Sequence, residues 1–141
     1  MTTAQSPKVQ QVAERFMSAI ERNDFAALEA LFTPDALLDV NVPAWRFQRQ
    51  GPRDVIGQFR EWYPQPPVSV NWRATPMEGG VIVQADERKV EGGEELYYRF
   101  VYLASLDGDR IAELVLYCTG PWDQATVERQ RREAPMVRQD I

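Results

Sequence analysis

The chain has 141 residues, 44% apolar and 11% aromatic, enough for one domain with a single sizeable core. Lys and Arg number 16 against 21 Asp and Glu, and the resulting formal charge of -5 repels a phosphate backbone and argues against nucleic acid as a partner. There is no His and one Cys, Cys118, so His-based triads, the common zinc sites and an internal disulfide are excluded; acid-base chemistry must come from Asp, Glu, Tyr, Lys or ordered water.

No stretch approaches the roughly 18 apolar residues of a membrane span. The start MTTAQSPK has neither a signal-peptide apolar region nor an Arg-rich presequence, so a cytoplasmic protein without a membrane partner is expected. Val9, Val12, Ala13, Phe16, Met17 and Ile20 recur at intervals of three and four, one apolar stripe on a helix from about Pro7 to Arg22. Asp24 suits the N-cap of a second helix carrying Phe25, Leu28, Leu31 and Phe32, which Thr33-Pro34 stops. A strand follows from about Leu37 to Val42, in the phrase DVNVPAW. Gly51-Pro52 opens a third helix with Val55, Ile56, Phe59 and Trp62 on its apolar face, closed by Pro64 to Pro67.

From Val68 the period changes to two. Four strands are predicted: Val68 to Thr75, Val81 to Arg88, Glu94 to Leu106 and Arg110 to Thr119. The turns Gly79-Gly80, Gly92-Gly93 and Asp107-Gly108 make them an antiparallel meander. Asp123 then caps a last helix to about Glu133, whose run Arg129-Gln130-Arg131-Arg132 between Glu128 and Glu133 reads as a solvated face. The order ααβαββββα indicates an α+β domain with helices on one face of a curved antiparallel sheet. Both faces of the last two strands are apolar, which calls for a second cover, most economically another subunit; Arg99 and Glu113 would form a cross-strand ion pair on that outer side.

This order of elements, with AIERNDFAALEALFTPDALLDV, GPRDVIGQF and LDGDRIAELVLY, resembles the nuclear transport factor 2-like superfamily, in its SnoaL-like and ketosteroid isomerase-like branch. The similarity runs from Val9 to about Val127 and implies one domain over 1–141, with an ordered core at about 7–133 and a tail at 134–141. It implies a cone in which the curved sheet wraps the helices around an apolar cavity, commonly in homodimers joined through the outer sheet face. Known activities in the superfamily include steroid isomerisation, polyketide cyclisation, dehydration and epoxide opening, and some members only bind. The isomerases carry a tyrosine where this chain has Phe16, a catalytic aspartate at about Val40, and an acidic donor near Phe100. Limonene-1,2-epoxide hydrolases carry an Asn-x-Pro that Asn41-Val42-Pro43 matches, but their tyrosine falls at Asp39 and their Asp-Arg-Asp set at Val83, Ala85 and Leu116.

The Asn-x-Pro likeness turns Asn41, and by period two Asp39, toward the cavity. Asp39 is then the candidate for proton transfer, with Asn41 and Tyr98 orienting or polarising an oxygen. Against these stand a surface carboxylate, an asparagine satisfying a strand end, and an aromatic filler with its phenol in water. Phe16, Trp45, Phe59, Trp62, Trp72, Phe100, Leu114, Leu116 and Cys118 are the expected substrate-binding walls; Tyr102 shares the inner face, and Glu87 continues its parity near the mouth as a solvated carboxylate. Cys118 reads as an inert buried thiol. The expectation is a cofactor-free, metal-free isomerase, cyclase or dehydratase acting by proton transfer on an apolar small molecule such as a polyketide or steroid-like compound. The alternatives are a non-catalytic binding protein and a dimerisation module.

Overall fold

The computed structural model describes residues 6–138; the ends of the chain expected to lie outside the ordered core fall partly beyond that span, at 1–5 and 139–141. Helix α1 covers Ser6–Arg22, and its three-and-four spacing buries Val12, Ala13, Phe16, Met17 and Ile20 almost completely. Asn23 turns the chain with a positive φ of 53°, and the Asp24 carboxylate accepts from the Ala27 N–H at 3.1 Å to start α2, Phe25–Glu29. That helix is shorter than its apolar pattern suggests. Leu31 is buried in the turn that follows and Phe32 at the start of the first strand, where it pairs with Ile111.

Strand β1 spans Phe32–Val42, with an irregularity between Phe32 and Leu37 that accommodates Pro34. It turns at Pro43-Ala44 into β2, Trp45–Gln50, a strand additional to the five that periodicity separates. Helix α3, Pro52–Trp62, begins with proline in its first turn and buries Val55, Ile56 and Phe59. The meander follows as β3 (Ser69–Met77), β4 (Gly80–Glu91), β5 (Glu94–Asp107) and β6 (Arg110–Cys118). Asp123 accepts from the Thr126 N–H at 2.8 Å and caps α4, Gln124–Glu133, which buries none of its side chains and pairs Arg129 with Glu133 at 3.7 Å on its solvated face.

The six strands lie in the order β2-β1-β6-β5-β4-β3. All neighbours are antiparallel except β1 and β6, so the sheet is mixed rather than wholly antiparallel. Helices α1 and α3 pack on its inner face, α1 against β3 and β4 and α3 against β1 and β2, which gives the α+β cone. The register corrects one expected contact: Ser105 stands opposite Glu113, and Arg99 instead pairs with Asp86 on β4 at 2.6 Å.

An aromatic chain runs through the core. Phe16 meets Tyr102 edge-on at 5.0 Å, and Tyr102 meets Phe100 at 5.2 Å; Phe59 lies 5.3 Å from Trp62. Among the glycines the tightest approach is at Gly80, where a Cβ would stand 1.8 Å from the Ala104 carbonyl oxygen. In urea denaturation Gly80→Ala is expected to cost about 1–3 kcal/mol at an unchanged slope. An unchanged midpoint would show that β4 and β5 separate there more readily than their spacing allows.

Candidate functional site: an aromatic cavity with a buried acid

Strand alternation builds the site. Along β4 the residues Val81, Val83, Ala85, Glu87 and Lys89 all point inward and are buried, so an apolar row ends in an acid and a cation. Register places Glu87 opposite Tyr98, Ala85 opposite Phe100 and Phe100 opposite Cys118; Tyr102 stands opposite Leu116, which pairs with Val40. The end of α3 and the Pro64–Pro66 segment close over this wall and leave a cavity of about 1150 Å³ bordered by Trp62, Tyr63, Glu87, Lys89, Tyr98 and Phe100, with Tyr102, Leu116 and Cys118 behind.

Most polar groups of the wall have a defined partner. The Tyr63 hydroxyl donates to Glu87 Oε2 at 2.5 Å, and Glu87 is only 3% exposed. Asn23 Nδ2 donates to the Tyr63 carbonyl at 3.0 Å and ties the α1–α2 turn to that residue. Lys89 Nζ donates to the carbonyl of Trp62, the last residue of α3, at 2.9 Å, where a cation also complements the helix dipole. It lies over the rings of Tyr63 and Tyr98 at 4.7 and 4.8 Å and 3.2 Å from Glu91. Tyr98 donates to Glu91 Oε1 at 2.7 Å. The Tyr102 hydroxyl has no hydrogen-bond partner among the described residues.

Burial raises the Glu87 carboxyl above its usual pKa, against the lowering effects of the Tyr63 hydrogen bond and Lys89. Burial likewise raises the phenols of Tyr63, Tyr98 and Tyr102, so all three are neutral donors at physiological pH. It raises the Cys118 thiol too, which makes that residue a poor nucleophile. The cavity thus offers a carboxyl able to exchange a proton, a cation and three phenols, set in aromatic walls. Among the described residues no group of three or more Cys, Asp or Glu is placed to hold a metal ion.

Of the residues singled out in the sequence, the cavity brings together Tyr98, Trp62, Phe100, Leu116 and Cys118. Asp39 and Asn41 lie elsewhere. Leu38 and Val40 are fully buried on the inner face, so period two puts Asp39 and Asn41 on the outer one. There Asp39 accepts two hydrogen bonds from Arg46, at 2.9 and 2.7 Å, which hold its carboxyl below the usual value; a proton carrier in an apolar pocket needs the opposite shift. Asn41 Nδ2 donates to the Leu116 carbonyl at 3.2 Å and satisfies the strand end. Phe16, Phe59 and Leu114 are core residues behind the cavity. Trp45 is 69% exposed on β2, and Trp72 packs beside α1 with its indole N–H on Glu21 at 3.2 Å. Glu87 is buried, not solvated. Tyr63 and Lys89 carry no motif, and their only sequence signal is the continued inward parity of β4 and a position just past an amphipathic helix.

No curated protein matches the chain by sequence. Among solved structures, an NTF-2 like protein of unknown function from Burkholderia xenovorans LB400 is similar at 17% identity and a TM-score of 0.67, over 96% of this chain and 97% of that one. An LEH-like epoxide hydrolase of M. tuberculosis is similar at 16% identity and a TM-score of 0.66, over 87% of this chain and 88% of that one. A hypothetical protein with a ketosteroid isomerase-like fold from Catenulispora acidiphila DSM 44928, in complex with trimethylamine, is similar at 17% identity and a TM-score of 0.64, over 84% and 90%. At these identities the likeness is one of fold. The SnoaL-like domain family matches residues 13–114, from the buried stripe of α1 to the inner face of β6. With most of its length inside that match and its helices wrapped by the same kind of sheet, this chain belongs to the SnoaL-like domain family.

Proposed function

We propose that the protein binds an apolar small molecule in the cavity and moves a proton on it, in an isomerisation, cyclisation or dehydration, with Glu87 as the proton carrier. The observation that carries this reading is a carboxyl 3% exposed, with its pKa raised by burial, in the wall of an aromatic cavity large enough for a polycyclic body. Ionised Glu87 takes a proton from carbon beside a carbonyl, and the neutral phenols of Tyr102 and Tyr98 donate to the oxygen as it becomes enolate-like; protonated Glu87 then returns the proton elsewhere. Tyr63 holds the carboxyl in place and tempers its basicity. The family supports small-molecule chemistry of this kind, and a polyketide or steroid-like compound fits the flat aromatic walls.

The same reading includes a homodimer through the outer sheet face. Tyr117 is 51% exposed there, beside half-buried Val101, Leu103 and Val115, and the charges of Asp39 and Asp86 are already paired within the chain with Arg46 and Arg99.

Three outcomes test these proposals. In deuterated buffer the protein is expected to accelerate hydrogen exchange beside the carbonyl of an apolar ketone such as 1-tetralone, and Glu87→Gln to lower that acceleration by at least about 100-fold. If wild type gives only background exchange with a ketone it demonstrably binds, the proton-transfer role is wrong and binding alone remains. Because the Glu87 pKa is higher folded than unfolded, its contribution to stability is present at acid pH and lost as pH rises through the folded value. Glu87→Gln stays neutral throughout, so its melting temperature relative to wild type should rise between about pH 4 and about pH 8; a constant difference would contradict the raised pKa. In light scattering, wild type should show twice the protomer mass and Val101→Arg the protomer mass, whereas a monomeric wild type at micromolar concentration would remove the dimer.

A further inference from the structure

We propose that the cavity selects a carboxylate: a flat or polycyclic apolar body whose acid group is held by the ammonium of Lys89. This rests on the cavity being the ligand site, as proposed above, but not on any proton transfer within it.

The Lys89 side chain is 11% exposed, and a buried cation is unfavourable unless its donors are used and its charge is matched. Of its three N–H groups, one is given to the Trp62 carbonyl, and no other acceptor is aligned on it among the described residues. Glu91 Oε1 stands 3.2 Å away, but that oxygen already takes the Tyr98 hydroxyl at 2.7 Å, and the Glu91 side chain is 45% exposed on the cavity rim. Glu91 thus takes the Tyr98 hydroxyl and reaches solvent, while two N–H groups of Lys89 have no aligned acceptor among the described residues. A carboxylate entering the cavity supplies what Lys89 lacks, acceptor oxygens for its remaining N–H groups, and lets Glu91 turn to solvent.

Glu61, Glu87 and Glu91 also border the cavity, and what stands against an ammonium ligand is the position of Lys89 itself. Two of the rings that would receive it, those of Tyr63 and Tyr98, already carry Lys89, which repels a second cation. Glu87 is held toward its neutral form by burial, and so opposes an anion less than an exposed carboxylate would. Lys89 and Glu87 lie two residues apart on one face of β4, a spacing of about 6–7 Å along the strand. An acid group anchored on Lys89 thus leaves the carbons a few bonds away beside Glu87, and determines which of them that carboxyl meets.

The test is calorimetric binding of 2-naphthoate against 2-naphthalenemethanol, which share one ring system and differ in charge. Wild type is expected to bind the carboxylate at least about tenfold more tightly. Lys89→Met should bring the two ligands within about twofold while retaining the alcohol. Glu91→Gln, on the exposed rim, should tighten naphthoate and leave the alcohol unchanged, a gain that a damaged fold does not produce. Equal affinity of wild type for the two ligands overturns the proposal, as does a carboxylate preference that survives in Lys89→Met or a Glu91→Gln variant that does not tighten naphthoate. Failure here leaves the exchange activity of Glu87 untouched, and loss of that activity leaves this selectivity untouched, so the two readings fall separately.

Discussion

A carboxyl group and an ammonium buried two residues apart on the inner face of one strand must find their partners inside the protein, and the arrangement of the cavity follows from how they do so. Glu87 accepts a hydrogen bond from the hydroxyl of Tyr63, and Lys89 donates one to the Trp62 carbonyl. Both partners sit at the end of α3, so two polar bonds hold the helix terminus against β4. Tyr63 is in turn anchored through its own carbonyl by Asn23, which occupies the turn between α1 and α2. Helices α1, α2 and α3 are thereby referred to the same pair of strand residues. The apolar stripes bring the helices onto the sheet; the polar contacts hold the end of α3 against β4 beside the cavity.

The molecule holds two carboxylates with opposite environments. Asp39 lies on the outer face with a guanidinium bonded to both oxygens, which favours its charged form. Glu87 lies inside, where loss of water outweighs the phenol and the neighbouring ammonium, and its neutral form is favoured. Side-chain chemistry is nearly the same in the two, so the face of the strand alone separates a surface ion pair from a group that can exchange protons in an apolar space.

Where the sequence speaks through burial it describes the molecule well. The stripes of α1 and α3, the Asp24 and Asp123 caps and the glycine-rich turns of the meander are strong local signals, and each appears in place. The β1–β2 hairpin is hidden because its turn uses Pro43 and Ala44, with Ala44 at a positive φ of 61°, where glycine or asparagine is the usual signal. The facing of Asp39 is a different case. In LLDVNV the alternation of Leu38 and Val40 with Asp39 and Asn41 already directs the polar pair outward, and the Asn-x-Pro likeness to one branch of the fold argues the reverse. Burial of two aliphatic side chains, each worth roughly 1.5–3 kcal/mol, outweighs a three-residue resemblance. Tyr63 and Lys89 join the site through tertiary contact, and no spacing in the sequence reports that meeting.

Glu87 and Lys89 break the pattern of their own strand, and that break is itself evidence of a site. Valines and an alanine occupy the three inward positions before them. Continuing that row with apolar residues would fill the cavity and spare the desolvation of two charges, and such replacement of buried ion groups is commonly neutral or stabilising. The helix end gains a cap from Lys89, but α3 could end on water, as most helices do in part. What an apolar continuation could not supply is a carboxyl of raised pKa and a cation bordering a space of about 1150 Å³ lined by aromatic rings. Local rules of burial are broken where a protein has something to bind, and in this sheet they are broken on the inner face at the end of β4.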